Sequence, residues 1–230
     1  MLKGKHVFFI VLLILIVDQI SKVWIKTNMI HDTFLIPFEN IHWFRIHFIE
    51  NPGMAFGLEL GGEYGKLILS VFRLVAIGFI IYVINQIVRQ KYHPGLIICA
   101  SMILAGAIGN MIDSAFYGLI FTDSYGRIAK AFAEEGGYGG FLQGKVVDML
   151  YFPLFEVTLP EWMPFIKNRR FQFFRPVFNI ADSVITVGVL IILFFQKRLL
   201  RRKVETSGSL TSSETIATEE IISPSIKGGE

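Results

Sequence analysis

Four long apolar runs constrain this chain more than any other feature. They lie at about 6–25, 66–88, 95–112 and 176–195. A helix needs about 20 mostly apolar residues to cross the hydrocarbon core of a bilayer. Charged residues make up only 18% of the 230 residues, against about 25% in a typical soluble domain. The sequence therefore predicts an integral membrane protein with four transmembrane helices.

The first run has lysines before an apolar core, as a secretory signal peptide does. The residues after that core, DQISKVWIK at 18–26, contain no small-x-small cleavage site. We therefore expect this run to be retained as a membrane helix. Lys and Arg in the short flanks set its orientation. Both termini and the short second connection carry them, so both termini are expected in the cytoplasm and the two long connections outside.

The outer connections and the C-terminus have distinct compositions. IHWFRIHF at 41–48 has a β-like composition, and a Pro-Gly turn signal follows it. YFPLFEVTLPEWMPF at 151–165 is apolar but interrupted by proline, which favours a segment on the membrane surface. Residues 204–230 are rich in Ser, Thr and Glu, which indicates a disordered cytoplasmic tail after a membrane domain at 1–203.

The remaining composition excludes several other classes of protein. The net charge is only +3, and no basic-aromatic pattern accompanies it, so we expect no nucleic-acid partner. The single cysteine, Cys99, lies within an apolar run and excludes an intrachain disulfide or a cysteine metal site. The histidines form no His-x-x-x-His pattern, and we expect neither a metal nor a cofactor.

Polar residues within the spans gather near the outer surface. The third span runs outward, so Asn110 and Asp113 lie at its outer end; the fourth starts outside, so Asn179 and Asp182 do too. Each pair is spaced i, i+3 and is expected to share one helix face. A carboxylate within a span costs roughly 2.5–3.5 kcal/mol and is a functional candidate by default.

Further polar residues fall at the same depth. Asp18 and Lys22 lie in the outer half of the first span, where their i, i+4 spacing allows an ion pair within the helix. Such an ion pair, without any role in function, is the simplest interpretation of these two residues. Asn51 lies in the first outer connection. Asp148 lies in the second, beside apolar residues that draw it toward the membrane. Two neighbouring carboxylates share one proton, and such a pair can activate water as aspartic proteases do.

Five short motifs together resemble the type II prolipoprotein signal peptidases. They occur in the family's order over about residues 6–200. The motifs are DQISK (18–22), ENPGMAFG (50–57), GNMID (109–113), VVDM (146–149) and FNIAD (178–182). The resemblance implies an all-α membrane protein with four transmembrane helices, a small extracytoplasmic β-cradle and a membrane-surface loop or helix. It also implies a monomeric enzyme in the bacterial cytoplasmic membrane. Its substrates are diacylglyceryl-modified prolipoproteins, cut before the lipidated cysteine.

The resemblance assigns Asp148 and Asp182 as the catalytic dyad, with Asp113 as the alternative partner of Asp182. The other matching residues support the dyad, the substrate or the site's frame. They are Asp18, Lys22, Asn51, Gly53, Asn110, Asp113 and Asn179.

Two features depart from the family pattern. The family usually has Arg after the Asp of GN-x-x-D, where this chain has Ser114. The role of that guanidinium then falls to Arg175 or Lys145, or is not fulfilled in this chain. The segments at about 114–147 and 151–175 are longer than usual, which bears on the lid and on substrate preference.

Two other classes of function are compatible with intramembrane Asp and Asn residues. A proton- or cation-coupled transport protein needs polar groups at the midplane and on the inner side. The run after Asp182, VITVGVLIILFF, is almost wholly apolar and argues against such a path. A non-enzymatic scaffold would tolerate the loss of both Asp148 and Asp182.

Overall fold

The computed structural model describes residues 2–38, 41, 43–52, 62–153, 155–158, 170–173 and 176–201. Within these residues, four helices are long and apolar enough to span a membrane, which confirms the predicted fold class. The helices are α1 (Gly4–Asn28), α2 (Gly62–Arg89), α3 (Pro94–Ile112), the short α4 (Gly118–Ile120) and α5 (Ile180–Leu199). A π-helical turn at Asp113–Tyr117 joins α3 to α4, so the third span continues to Ile120.

The helix α5 begins at Ile180, later than the expected start of the fourth span at about 176. Asn179 is its N-cap, and the side-chain oxygen accepts a hydrogen bond from the backbone N–H of Asp182 at 2.8 Å. Asn179 therefore approaches Asp182 as a helix cap and not as a neighbour on one helix face.

The helix α3 is the central element, since α1, α2 and α5 all contact it. Small residues permit the close approach of α3 to its neighbours. A Cβ atom at Gly106 would lie 2.3 Å from the carbonyl oxygen of Ala181, and one at Gly109 would lie 2.7 Å from the Asp18 carboxylate. Glycine is therefore required where α3 meets the start of α5 and the part of α1 that carries Asp18.

A four-stranded antiparallel sheet packs against α1 and the π-helical turn, which agrees with the predicted small β-cradle. Its spatial order is β1-β2-β3-β6. The strands are β1 (Phe34–Leu35), β2 (Arg45–Asn51), β3 (Val146–Tyr151) and β6 (Val177–Phe178). In the register of β2 and β3, Ile49 lies opposite Asp148, and β6 leads directly into Asn179.

The surface segment expected at 151–165 and the longer segment at about 151–175 are only partly among the described residues. That part includes an antiparallel pair, β4 (Phe155–Thr158) with β5 (Arg170–Phe173), rather than a helix. The predicted tail at 204–230, Gly53 and Arg175 lie outside the described residues.

Two apolar clusters hold the described elements together. One packs residues of α1, α2, α3 and α5, including Val7, Ile87 and Leu104. The other lies beneath the sheet and includes the fully buried Phe48 and Val147. Along both α1 and α3, the polar residues described below lie between residues of the first cluster and residues of the second. A polar layer therefore separates the cluster beneath the sheet from the cluster among the helices.

Candidate active site

A buried lysine organises the polar layer. The Lys22 ammonium lies 2.9 Å from the carboxylates of both Asp18 and Asp113 and donates a hydrogen bond to Asn110 Oδ1 at 2.9 Å. All three donors of the ammonium are thereby satisfied. Lys22, Asp18 and Asp113 are each 0% exposed. Asp18 and Lys22 thus form the predicted pair, but as part of a cluster between helices.

The two carboxylates of this cluster hold the backbone beside each candidate catalytic aspartate. Asp18 Oδ1 accepts the N–H of Ala181 at 2.9 Å, next to Asp182. Asp113 Oδ2 accepts the N–H of Val147 at 3.2 Å, next to Asp148. One cluster on α1 and α3 therefore fixes both segments that carry the dyad.

Asp148 is 3% exposed and lies on β3. Its carboxylate accepts hydrogen bonds from Asn179 at 2.7 Å and from Asn51 at 3.3 Å. Burial, followed by the nearby charge of Asp182, raises the pKa of Asp148 to about 7, although the two amide hydrogen bonds oppose the shift. The carboxyl of Asp148 can therefore hold a proton near neutral pH.

Asp182 lies in the first turn of α5 and is half-buried. Its Oδ1 accepts a hydrogen bond from Asn110 at 2.7 Å. Asn179 donates to Asn110 Oδ1 at 3.1 Å as well as to Asp148, so the two amides connect the two aspartates. These contacts bring together the predicted residues Asn110, Asn179, Asp148 and Asp182.

Asp113 differs from Asp148 in its surroundings. Besides Lys22 and Val147, it accepts a hydrogen bond from Gln19 Nε2 at 2.9 Å. Its oxygens are thus occupied by a buried cation and by structural donors, whereas Asp148 is held by neutral amides. The geometry favours Asp148 over Asp113 as the partner of Asp182.

A cation that the sequence analysis did not identify reaches this layer from α2. The guanidinium of Arg73 donates a hydrogen bond from Nη1 to Ser114 Oγ at 2.7 Å. Ser114 in turn donates to the Asn110 carbonyl at 3.0 Å. Arg73 interacts electrostatically with the carboxylates of Asp182, Asp113 and Asp148. The serine at position 114 is therefore the hydrogen-bond acceptor for an arginine on another helix.

The expectation that Lys145 supplies this cation is wrong. Its ammonium lies 3.3 Å from Glu50 Oε2 and over the rings of Tyr125 and Tyr138. Glu50 also pairs with Lys26, which hydrogen-bonds Ser124. This second buried ionic cluster joins α1, β2 and the loop before β3, on the other face of β2 from Asn51. Burial of Glu50 beside two lysines explains why Lys145 is directed away from the dyad.

The sequence analysis did not identify Arg73 or Gln19 as functional candidates. Arg73 is a single charge within an apolar run, and that rarity was the signal that could have found it. Gln19 lies inside the DQISK motif and donates to Asp113, while its side-chain oxygen accepts from Tyr117 at 3.1 Å.

Four helices that can span a membrane and a small antiparallel sheet, with Asp148 and Asp182 joined through two amides, form the arrangement expected of a membrane aspartic peptidase. The chain belongs to the signal peptidase II family, whose model matches residues 10–197. It is 46% identical to a lipoprotein signal peptidase of Porphyromonas gingivalis over 94% of each chain. It is 34% identical to a lipoprotein signal peptidase of Amoebophilus asiaticus, over 94% of this chain and 89% of that one. These findings support a signal peptidase and not the transport alternative.

The fold is also similar to two solved structures of bacterial membrane enzymes. One is 22% identical and covers 84% of this chain and 89% of the other, with a TM-score of 0.52. The second is 23% identical and covers 84% and 93%, with the same TM-score. At this identity the likeness concerns the fold alone.

Proposed function

We propose that this protein removes the signal peptide from diacylglyceryl-modified prolipoproteins, cutting before the lipidated cysteine, with Asp148 and Asp182 as the catalytic pair. The observation that carries the assignment is the Asn179–Asn110 bridge. One amide donates to Asp148, the other donates to Asp182, and the two amides hydrogen-bond each other. The two carboxyls come from separate segments and meet at these amides.

The pair performs general acid–base chemistry on a bound water. Asp182, as the ionised carboxylate, takes a proton from the water, which attacks the carbonyl carbon of the scissile bond. Asp148, as the protonated acid, donates its proton to the carbonyl oxygen. The resulting tetrahedral intermediate collapses when the proton held by Asp182 passes to the departing amine of the cysteine and the hydroxyl proton returns to Asp148.

The membrane location suits this substrate. The signal helix and the acyl chains of a prolipoprotein lie in the bilayer, so a site at the outer ends of the spans meets the scissile bond at the surface. The positive residues at both termini support cytoplasmic ends and a dyad at the outer face of the bacterial cytoplasmic membrane. Since one chain supplies both carboxyls, a monomer surrounded by membrane lipid is sufficient for activity.

Cleavage of a defined substrate tests this function. The purified protein in lipid vesicles is expected to cut a diacylglyceryl-modified prolipoprotein peptide directly before its modified cysteine. The same peptide without the lipid is expected to be cut far more slowly. Mass spectrometry of the products locates the cut. Cleavage at another bond, or equal cleavage of both peptides, would contradict the proposal.

The pH dependence of cleavage follows from the proton on Asp148. The pKa of Asp148 is raised to about 7, so the carboxyl is protonated below that pH and loses its proton above it. We expect kcat/KM to fall as the pH rises through about 7, because the acid that protonates the carbonyl is lost. An alkaline limb that begins only above pH 9 would contradict the assignment of Asp148 as the acid.

Arg73 is expected to support the dyad electrostatically. Arg73→Gln removes a positive charge near Asp148 and Asp182, so we expect kcat/KM to fall roughly tenfold to a hundredfold and the alkaline limb to move to higher pH. Arg73→Lys keeps the charge and is expected to retain more activity. The matched control is Arg89→Gln, on the exposed inner end of the same helix. If Arg73→Gln leaves the pH profile unchanged, the electrostatic role is wrong.

A further inference from the structure

A second lysine of α1 is buried in an ion pair that the reaction does not use. The helix face that carries Asp18 and Lys22 continues to Lys26, because the three residues are spaced by four. Lys26 pairs with Glu50 of β2, and neither side chain is exposed. Ser124 Oγ donates a hydrogen bond to Glu50 Oε1 at 2.8 Å and accepts one from Lys26 Nζ at 3.0 Å.

Lys145 connects this ion pair to the start of β3. Its ammonium lies 3.3 Å from Glu50 Oε2. The ammonium groups of Lys26 and Lys145 lie 4.9 and 5.2 Å from the centroid of the Tyr138 ring. The hydroxyl of Tyr138 also accepts the backbone N–H of Lys145 at 2.7 Å. These contacts hold one set of residues together, the Glu50 cluster, which consists of Lys26, Glu50, Ser124 and Lys145.

The Glu50 cluster joins β2 and β3 at the end of their pairing. Asn51 is the last residue of β2 and lies opposite Val146, the first residue of β3. Glu50 directly precedes Asn51, and Lys145 directly precedes Val146, so the contact between Glu50 and Lys145 connects the strands beside this pair. Successive side chains of a strand point to opposite faces. Asn51 therefore projects away from the cluster, toward the Asp148 carboxylate 3.3 Å away.

The energetics of a buried ion pair favour a role in positioning. Desolvation of two charges offsets most of their attraction, so such a pair contributes little net stability, and its best-supported use is to select one arrangement. Burial opposes the ionisation of Glu50, but the charge of Lys26 outweighs it and lowers the pKa of Glu50. Glu50 therefore remains ionised at the pH near 7 where Asp148 titrates.

We propose that Lys26 and Glu50 are positioning residues that hold Asn51 against Asp148. This rests on the proposed function, which assigns Asp148 as the acid. A hydrogen bond from a neutral amide favours the ionised form of a carboxyl. The Glu50 cluster thereby controls how readily Asp148 releases its proton. Two lysines of one helix face then divide the work, since Lys22 fixes the backbone beside the dyad and Lys26 fixes an amide that reaches it.

Glu50→Gln tests this proposal because its two effects on Asp148 have opposite signs. Removal of a nearby negative charge alone would lower the pKa of Asp148, whereas loss of the hydrogen bond from Asn51 raises it. We expect the pKa to rise by roughly one unit, as the loss of one hydrogen bond to a charged group would cause. Infrared spectroscopy of the protonated carboxyl in lipid vesicles follows this titration without substrate, and Asp148→Asn identifies the band.

The pKa shift is attributable to Asn51 because the charged groups around Asp148 stay the same in each variant. In Asn51→Ala, the further change Glu50→Gln is expected to lower the pKa or leave it unchanged, since no amide remains to be displaced. Asp123→Asn is the matched control, because it removes a carboxylate that acts on Lys26 from outside the cluster, and it is not expected to raise the pKa. The unchanged groups are Asp182 on α5, Lys22 on α1, Arg73 on α2 and Asp113 at the end of α3.

The combined change Lys26→Gln and Glu50→Gln covers the case in which Glu50→Gln does not fold. It removes both charges of the buried pair, and the pKa of Asp148 is again expected to rise by roughly one unit. The thermal unfolding midpoint in detergent shows whether each variant is folded. If neither variant folds, the cluster maintains the fold and the positioning role is wrong.

Two further outcomes would overturn the inference. One is a pKa of Asp148 that falls or stays unchanged in the folded variants, and the other is an equal rise when Asn51 is already alanine. Failure of the proposed function is distinguishable, because the infrared titration needs no substrate. If the unaltered protein does not cut the lipid-modified peptide while the pKa shifts as expected, the proposed function fails and the positioning of Asn51 stands.

Discussion

Asp148→Asn and Asp182→Asn are each expected to lower the rate of prolipoprotein cleavage by roughly a thousandfold or more, the upper part of the range for general acid–base groups. Asparagine at 148 cannot deliver the proton that the carbonyl oxygen needs, and asparagine at 182 cannot take the proton from water. The change is nearly isosteric, so the amide variants can keep the hydrogen bonds that reach these oxygens from Asn179 and Asn110.

Single-turnover cleavage of the lipid-modified peptide measures this effect without a contribution from product release. Glu135→Gln is the matched control, since it converts an exposed outer carboxylate to an amide away from the polar layer. It is expected to cleave at the unaltered rate. Near-normal cleavage by both aspartate variants would contradict the assignment of Asp148 and Asp182 as the catalytic pair.

Lys22→Met is expected to cause the largest loss of stability. It leaves the carboxylates of Asp18 and Asp113 buried without their shared cation. Removing one partner of a buried ionic cluster typically costs about 3–5 kcal/mol. Since these carboxylates also hold the N–H groups of Ala181 and Val147, we expect cleavage to be lost with the fold. The thermal unfolding midpoint in detergent measures the change.

The control for this prediction is Lys5→Met, an exposed lysine near the start of the same helix. It is expected to leave the midpoint unchanged. The triple change Lys22→Met, Asp18→Asn and Asp113→Asn removes all three charges together and is expected to recover part of the lost stability. An unaltered midpoint for Lys22→Met alone would show that the cluster does not hold the fold together.

The sequence predicted the helices well because each span must be apolar over a fixed length. The exposed apolar residues of α1 and α2, such as Phe9 and Phe72, follow from the same requirement. The start of α5 was less predictable. Pro176 to Phe178 are apolar enough to extend the run, yet β6 forms there because its pairing with β3 and the Asn179 cap satisfy the backbone locally.

The candidate site was predictable where local spacing carries the information. Asp18 with Lys22 is such a case, since an i, i+4 pair meets within one helix. The grouping of Asp148 with Asp182 came from resemblance, because no local rule brings a strand residue to the start of a distant helix. Asp148 remains a predicted catalytic residue.

The contact between Arg73 and Ser114 could not be read from the sequence. It joins α2 to the end of α3 and depends on the depth and rotation of both helices, which hydropathy does not specify. The pairing of Lys145 with Glu50 is similar, since residues 95 positions apart meet only through the register of β2 and β3. Charge alone made Lys145 a candidate to replace the family's arginine, and packing placed it beside Glu50 in another cluster.

The central claim is that Asp148 and Asp182 act together on one water and one scissile bond. Single-turnover cleavage by the double variant Asp148→Asn, Asp182→Asn tests it most directly, measured beside both single variants. Residues that act as one unit show losses that do not multiply. The double variant is therefore expected to be no slower than the slower single variant, whereas a loss equal to the product of the two single losses would contradict the account.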